Sequence, residues 1–282
     1  MLKPFTAFAL VGLSAGAAIA ADPSQITGYG LTQDGSTLMM FTDLNAPDGA
    51  EMLSLMGGDV DAIAYRPVTG ELIGFSKEGK IYAIDTTTGA LTDLNARSNA
   101  DVVMDEEAAV ALDFNNAIDA MRAVSTGGAN VVYFPTDFGD EKANAVKRFT
   151  DLAYAEGDEN EGATPHIFAN AYTNAIDGEK QAETFQYVLD SDLDILASLA
   201  NNQGTLSTVA PLMIEGEPLD ISAAGGFDIV SVEAGDNTAV ALLTLEGEET
   251  AGLYTIDLKN GAVEMLGDTA VSGFTGFAAM AE

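Results

Sequence analysis

The sequence predicts an all-β chain closed into a β-propeller of five four-stranded blades, one of them shared by the N- and C-terminal strands. Three observations predict it. One hairpin is written twice: Ile81-Tyr-Ala-Ile-Asp-Thr-Thr-Thr-Gly89 recurs as Leu253-Tyr-Thr-Ile-Asp-Leu-Lys-Asn-Gly261, so that Tyr82, Asp85 and Gly89 answer to Tyr254, Asp257 and Gly261. A strand that opens each unit recurs at a spacing of about 50 residues, the period of a propeller or solenoid. The last of these strands, residues 274–280, has no unit after it, whereas the first unit lacks an opening strand. The two ends therefore complete one blade and close a ring with few exposed edges; an open solenoid would need polar capping repeats, and none is visible.

The elements follow in order. Residues 1–21 have a basic start at Lys3, an apolar run over residues 5–17 and the small-x-small pattern Ala18-Ile-Ala20, which predicts a cleaved secretory signal peptide rather than a membrane span. Residues 22–282 form the single domain. Strands at residues 26–32 and 37–42 flank the turn Gln33-Asp-Gly-Ser36, and a weaker strand covers residues 51–56. The next unit opens at Asp61-Ala-Ile-Ala-Tyr-Arg-Pro67, returns over residues 71–75, and ends in the first copy of the hairpin. There Ile81 and Ala83 face one way and Tyr82 and Ile84 the other, while Gly89 supplies the permissive backbone of the turn. Further opening strands are expected at residues 111–115, 169–174 and 225–230, with insertions at residues 137–147 and 177–183. Residues 98–108 and 156–164 read as acidic loops, although Met104-Asp-Glu-Glu-Ala-Ala109 also suits one helical turn.

Composition narrows the function. There are 44 acidic against 11 basic residues, a formal charge of −33, so nucleic acid and anionic membrane surfaces are repelled. No other apolar run is long enough for membrane insertion. The absence of Cys excludes disulfides, thiolate metal sites and a cysteine nucleophile. The acidic coat reads as solubilising; the alternative is that it collects divalent cations.

Five stretches carry a resemblance. They are Asp113-Phe-Asn-Asn-Ala-Ile-Asp119-Ala-Met-Arg122-Ala-Val-Ser125, residues 152–165 with Ala171-Tyr-Thr-Asn174, residues 204–212, and Ala224-Gly-Gly-Phe-Asp-Ile229. Together with the hairpins they resemble an uncharacterised secreted bacterial family, a domain of unknown function, over essentially the whole mature chain. Asn116 and Ala120 stand where that family has Pro and Arg. The resemblance implies a propeller-like fold and an exported location, and no activity.

Asp113, Asn115, Asp119 and Arg122 form the densest polar cluster. With Asn174 they are the candidate binding residues, at strand ends facing the ring's centre. The alternative is structural: Asp119 pairing with Arg122 to brace a blade. Asp158-Glu-Asn160-Glu-Gly162 alternates oxygen ligands, so Asp158 and Asn160 are candidate Ca²⁺ ligands, although the spacing is not that of an EF-hand and a solvated turn explains it equally. Asp190-Ser-Asp-Leu-Asp194 lacks the Gly such a loop requires. His166 is the single histidine and reads as a loop residue; no Gly-x-Ser-x-Gly elbow or phosphate loop occurs. The leading expectation is an exported, non-catalytic binding or interaction module, periplasmic or extracellular, for a small molecule or protein and without a cofactor. The alternative is a Ca²⁺-dependent hydrolase or lactonase-like enzyme with its site in the central channel.

Overall fold

Strand alternation sends the two faces of each sheet into different neighbours, and this builds the ring. In the second blade, Ile81 packs with Phe75, Phe114 and Met121 toward the third blade. Tyr82 and Ile84 pack with Tyr29 and Leu31 toward the first. Each of the other three contacts between adjacent blades has its own apolar cluster, centred on Ile167 and Val188, on Phe168 and Phe227, and on Phe274 and Leu242. A sheet with two apolar faces cannot stand alone, so the blades are stable only as a cycle.

The computed structural model describes residues 21–281; the predicted signal peptide, apart from Ala21, lies outside the described residues. Five antiparallel blades run outward from inner strands Phe274–Ala281, Ala62–Arg66, Val110–Asn115, Ile167–Tyr172 and Ile221–Val230. The predicted closure is present. Phe274–Ala281 pairs antiparallel with Ile26–Thr32, with Ala278 opposite Tyr29, and Thr37–Phe41 and Glu51–Ser54 complete that blade.

Two blades exceed the expected four strands. Ala153–Tyr154 adds a parallel strand outside the fourth blade, and Met213–Ile214 with Glu217–Pro218 does so outside the fifth. These additions belong to a pattern, because single parallel bridges Met56–Ala90 and Arg97–Ala145 sit at the same place on the second and third blades. The chain leaving each of the first four blades thus pairs briefly with the outer strand of the next, which covers an otherwise open edge. The hairpin glycines make this approach possible. Gly89 and Gly261 have φ of 74° and 70°. A Cβ there would lie 2.0 Å from the Ser54 carbonyl oxygen and 2.2 Å from that of Pro211, both on the preceding blade. Residues 104–109 form a loop without a helical turn, and a short 3-10 helix precedes them at Ala100–Val102.

Candidate functional site

An inner strand pairs on one side only, so its other edge leaves backbone N–H groups to be satisfied inside the ring. Asp113 and Asp228 do this. Asp113 accepts from the N–H of Phe114 at 2.6 Å and of Tyr172, on the next blade, at 2.5 Å. Asp228 repeats the arrangement with Ile229 at 2.7 Å and Ala279 at 2.6 Å. One carboxylate joins the third blade to the fourth and the other joins the fifth to the first. Both are buried. Burial pushes the Asp228 carboxyl up to about 7 against the opposing pull of its two N–H bonds. Burial and then the charge of Asp228 hold Asp113 well above the ordinary carboxylate range.

The remainder of the predicted polar cluster divides. Asp119 pairs with Arg66 of the second blade instead of Arg122, through Nε at 2.8 Å and Nη2 at 2.6 Å. Asp137 adds a contact to the same guanidinium at 2.7 Å. Asp119 sits in the turn between Val110–Asn115 and Ala120–Ser125 with φ of 56°, which points its carboxylate back across the blade boundary. Arg122 is buried and donates to the Tyr172 hydroxyl at 2.8 Å, to Asn202 at 2.9 Å and to Asn130. Asn115 accepts from the N–H groups of Ala117 and Ile118 and from the Thr184 hydroxyl. Each of these four candidates thus takes part in joining blades or turns.

Asn174 lies elsewhere, and it leads to a cavity. It begins the insertion between Ile167–Tyr172 and Gln186–Asp190, whose base is cinched by reciprocal bonds between Thr173 and Phe185. Asn174 donates its N–H to Asn237 at 2.8 Å and its Nδ2 to the Glu183 carbonyl at 2.9 Å, and accepts from the Gly235 N–H at 2.8 Å. Further along, the insertion bonds to Pro67 on the second blade and Asn116 on the third. Asn116, where the resembled family has Pro, is fully buried and donates to the carbonyls of Asn174, Ile176 and Glu179. One loop is therefore fixed to three other blades.

Beside it, between the fourth and fifth blades, lies a groove of about 730 Å³. Tyr187, Ile256 and Leu258 extend the apolar contact between these blades into its lining. Phe185 stands at its edge with 63% of its surface exposed. Asp236, a residue only 4% exposed, lines it, and its buried Oδ2 has no hydrogen-bond partner among the described residues. Burial, then the nearby Glu233 charge, raises the Asp236 pKa. Glu183, Asp257 and Lys259 complete the charged lining.

A second cavity of about 330 Å³ receives residues from all five blades, among them Gln33, Asp61, Lys77, Glu106, His166 and Ala223. Lys77, Asp61 and His166 are already engaged there, while the Glu106 and Glu107 carboxylates make no hydrogen bond or ion pair among the described residues. Lys77 Nζ lies 3.6 Å from Asp61 and donates to the Glu106 carbonyl at 2.7 Å, and His166 Nδ1 is 2.8 Å from the Ser191 hydroxyl. Among the described residues no group of three or more His, Asp or Glu side chains is placed to hold a metal ion. Asp158 instead receives the Asn160 N–H on one oxygen, and the Thr208 hydroxyl and N–H at 2.8 Å on its two oxygens. These hydrogen bonds outweigh desolvation and hold its pKa below the ordinary value. Asn160 Nδ2 donates to the same Thr208 hydroxyl at 2.9 Å, so Asp158 and Asn160 fasten their loop to the outer strand Thr205–Pro211. Asp190 is likewise satisfied, by the Tyr154 hydroxyl and the N–H groups of His166, Asp192 and Leu193.

Arg66, Asp228, Asp236 and Phe185 were not among the sequence candidates. For Asp228 a signal exists: Asp113 and Asp228 are each a lone acid within an otherwise apolar opening strand. Asp236 and Phe185 come from two loops that only the fold brings together.

A protein from Bacteroides thetaiotaomicron described as an auxiliary nutrient binding protein is similar in structure, at 15% identity and a TM-score of 0.42, over 76% of this chain. This chain spans 55% of that protein's length. A protein of unknown function from Bacteroides caccae is similar at 8% identity and a TM-score of 0.40, over 92% of this chain and all of the other. Comparison with curated proteins finds no match. The model of the family described as domain of unknown function DUF4394 matches residues 38–278, from the first blade round the ring to the strand that closes it, and the chain belongs to that family.

Proposed function

We propose that this protein is an exported, non-catalytic binding module whose small-molecule site is the groove between the fourth and fifth blades. The observation that carries the reading is the pairing of a buried carboxylate oxygen without a partner, in Asp236, with an exposed aromatic ring, Phe185, on one cavity. A buried polar atom left unbonded costs on the order of 1–3 kcal/mol, which a ligand donor would recover. An exposed phenyl ring presents apolar area that a ligand would cover. The groove's volume falls within the range of about 300–1,000 Å³ usual for small-molecule sites. Export rests on the basic, apolar and small-residue pattern of residues 1–21.

A thermal-shift screen of amines, sugars and metal ions, followed by calorimetry on each hit, tests the reading. Compounds that stabilise the wild type should lose their effect when Phe185 is changed to Ala. Hits that stabilise Phe185→Ala and Asp236→Ala as well as they do the wild type would place the site elsewhere.

A further inference from the structure

We infer that the groove takes an organic cation, a protonated primary amine attached to an apolar body. The inference rests on the groove being the binding site and concerns what that site selects. Asp236 offers a buried acceptor, and an ammonium group supplies both the missing hydrogen bond and the opposite charge. A neutral hydroxyl supplies only the first. Glu183 and Asp257 add two more carboxylates against the single basic side chain of the lining, Lys259, which is exposed. The whole chain, at −33, concentrates cations at its surface and repels anions.

Asn174 is already engaged, its Nδ2 by the Glu183 carbonyl and its Oδ1 by the Gly235 N–H. The amides of Gln181 and Asn237 also line the groove, so it is the charge of the lining, not a lack of amide donors, that favours an amine over a sugar. Phe185 and Tyr187 suit the apolar body of the ligand, and an aromatic face near a cation adds attraction of its own.

The test is calorimetry on the mature protein at neutral pH and about 0.15 M salt, where non-specific surface attraction is screened. The probes are phenethylammonium, its neutral counterpart 2-phenylethanol, and glucose. Phenethylammonium should bind saturably at one per chain, and 2-phenylethanol at least tenfold more weakly. Asp236→Asn, nearly equal in shape, should weaken the amine tenfold or more and leave the alcohol unchanged. Phe185→Ala, at an exposed position, should weaken both. Equal binding of amine and alcohol, or glucose binding that Phe185→Ala abolishes, would overturn the cation assignment while leaving the groove as the site. Amine binding that neither variant alters, or no binding by any probe, would overturn both.

Discussion

The two inner carboxylates make a specific demand on pH. Asp228 is buried, and its carboxyl pKa is pushed from 3.8 to about 7. Ionising it inside the fold therefore costs on the order of 4 kcal/mol more than ionising it in the unfolded chain, at about 1.4 kcal/mol per unit of pKa. Asp113 titrates in the same sense because burial and the Asp228 charge both oppose its ionisation. A folded state that holds a proton the unfolded chain has released loses stability as pH rises. The loss begins near the unfolded pKa of about 4 and is complete only above about 7. Asp228→Asn removes one titrating group and relieves the charge on the other. Urea melts of the wild type and the variant between about pH 5 and 8, at constant ionic strength, isolate this effect from the general acidic surface. Part of the loss is already complete at pH 5, so relative to its value there the variant should gain about 2.5–3 kcal/mol on the wild type by pH 8. Parallel stability profiles would refute the reasoning.

The other predictions concern ring and surface. Deleting residues 274–282 removes the strand that pairs with Ile26–Thr32, and circular dichroism should show loss of the folded state at ambient temperature rather than a shift of a degree or two. Gly89→Ala and Gly261→Ala should each cost several kcal/mol in a denaturant melt, because each new methyl meets a carbonyl oxygen of the preceding blade. Gly128→Ala, also at positive φ but with no atom within 4 Å of the new Cβ, should cost only about 1 kcal/mol; equal effects would contradict the docking role. Arg66→Ala strands the buried Asp119 carboxylate and should cost about 3–5 kcal/mol. NaCl should raise the melting temperature by screening the 44 carboxylates. Millimolar Ca²⁺ should do no more than Mg²⁺ at equal ionic strength; a saturable Ca²⁺ effect lost in Asp158→Ala would show that the Asp158–Asn160 loop binds the ion.

The architecture was legible because a propeller writes its repeat into local sequence. Alternation at Ile81–Ile84, the turn glycines and the orphan strand at the C-terminus each report contacts made within a blade or at its edge. The extra parallel pairings were not legible, since Ala153–Tyr154 and Met213–Ile214 are two residues each and carry no period. The polar cluster was found but its partners were not. Asp119 and Arg122 stand three apart in sequence, yet the turn at Asp119 sends its carboxylate to Arg66 while Arg122 turns toward Tyr172. Partner choice among buried charges depends on the next blade, which local spacing does not describe. The groove was out of reach for the same reason: Phe185 and Asp236 belong to different blades and are 51 positions apart.

Hydrogen–deuterium exchange with and without saturating phenethylammonium tests the central claim most directly. The groove account predicts slowed exchange confined to residues 173–187, 234–237 and 256–259, and its disappearance in Phe185→Ala. Protection centred instead on residues 106–109 and His166, in the five-blade cavity, would contradict it.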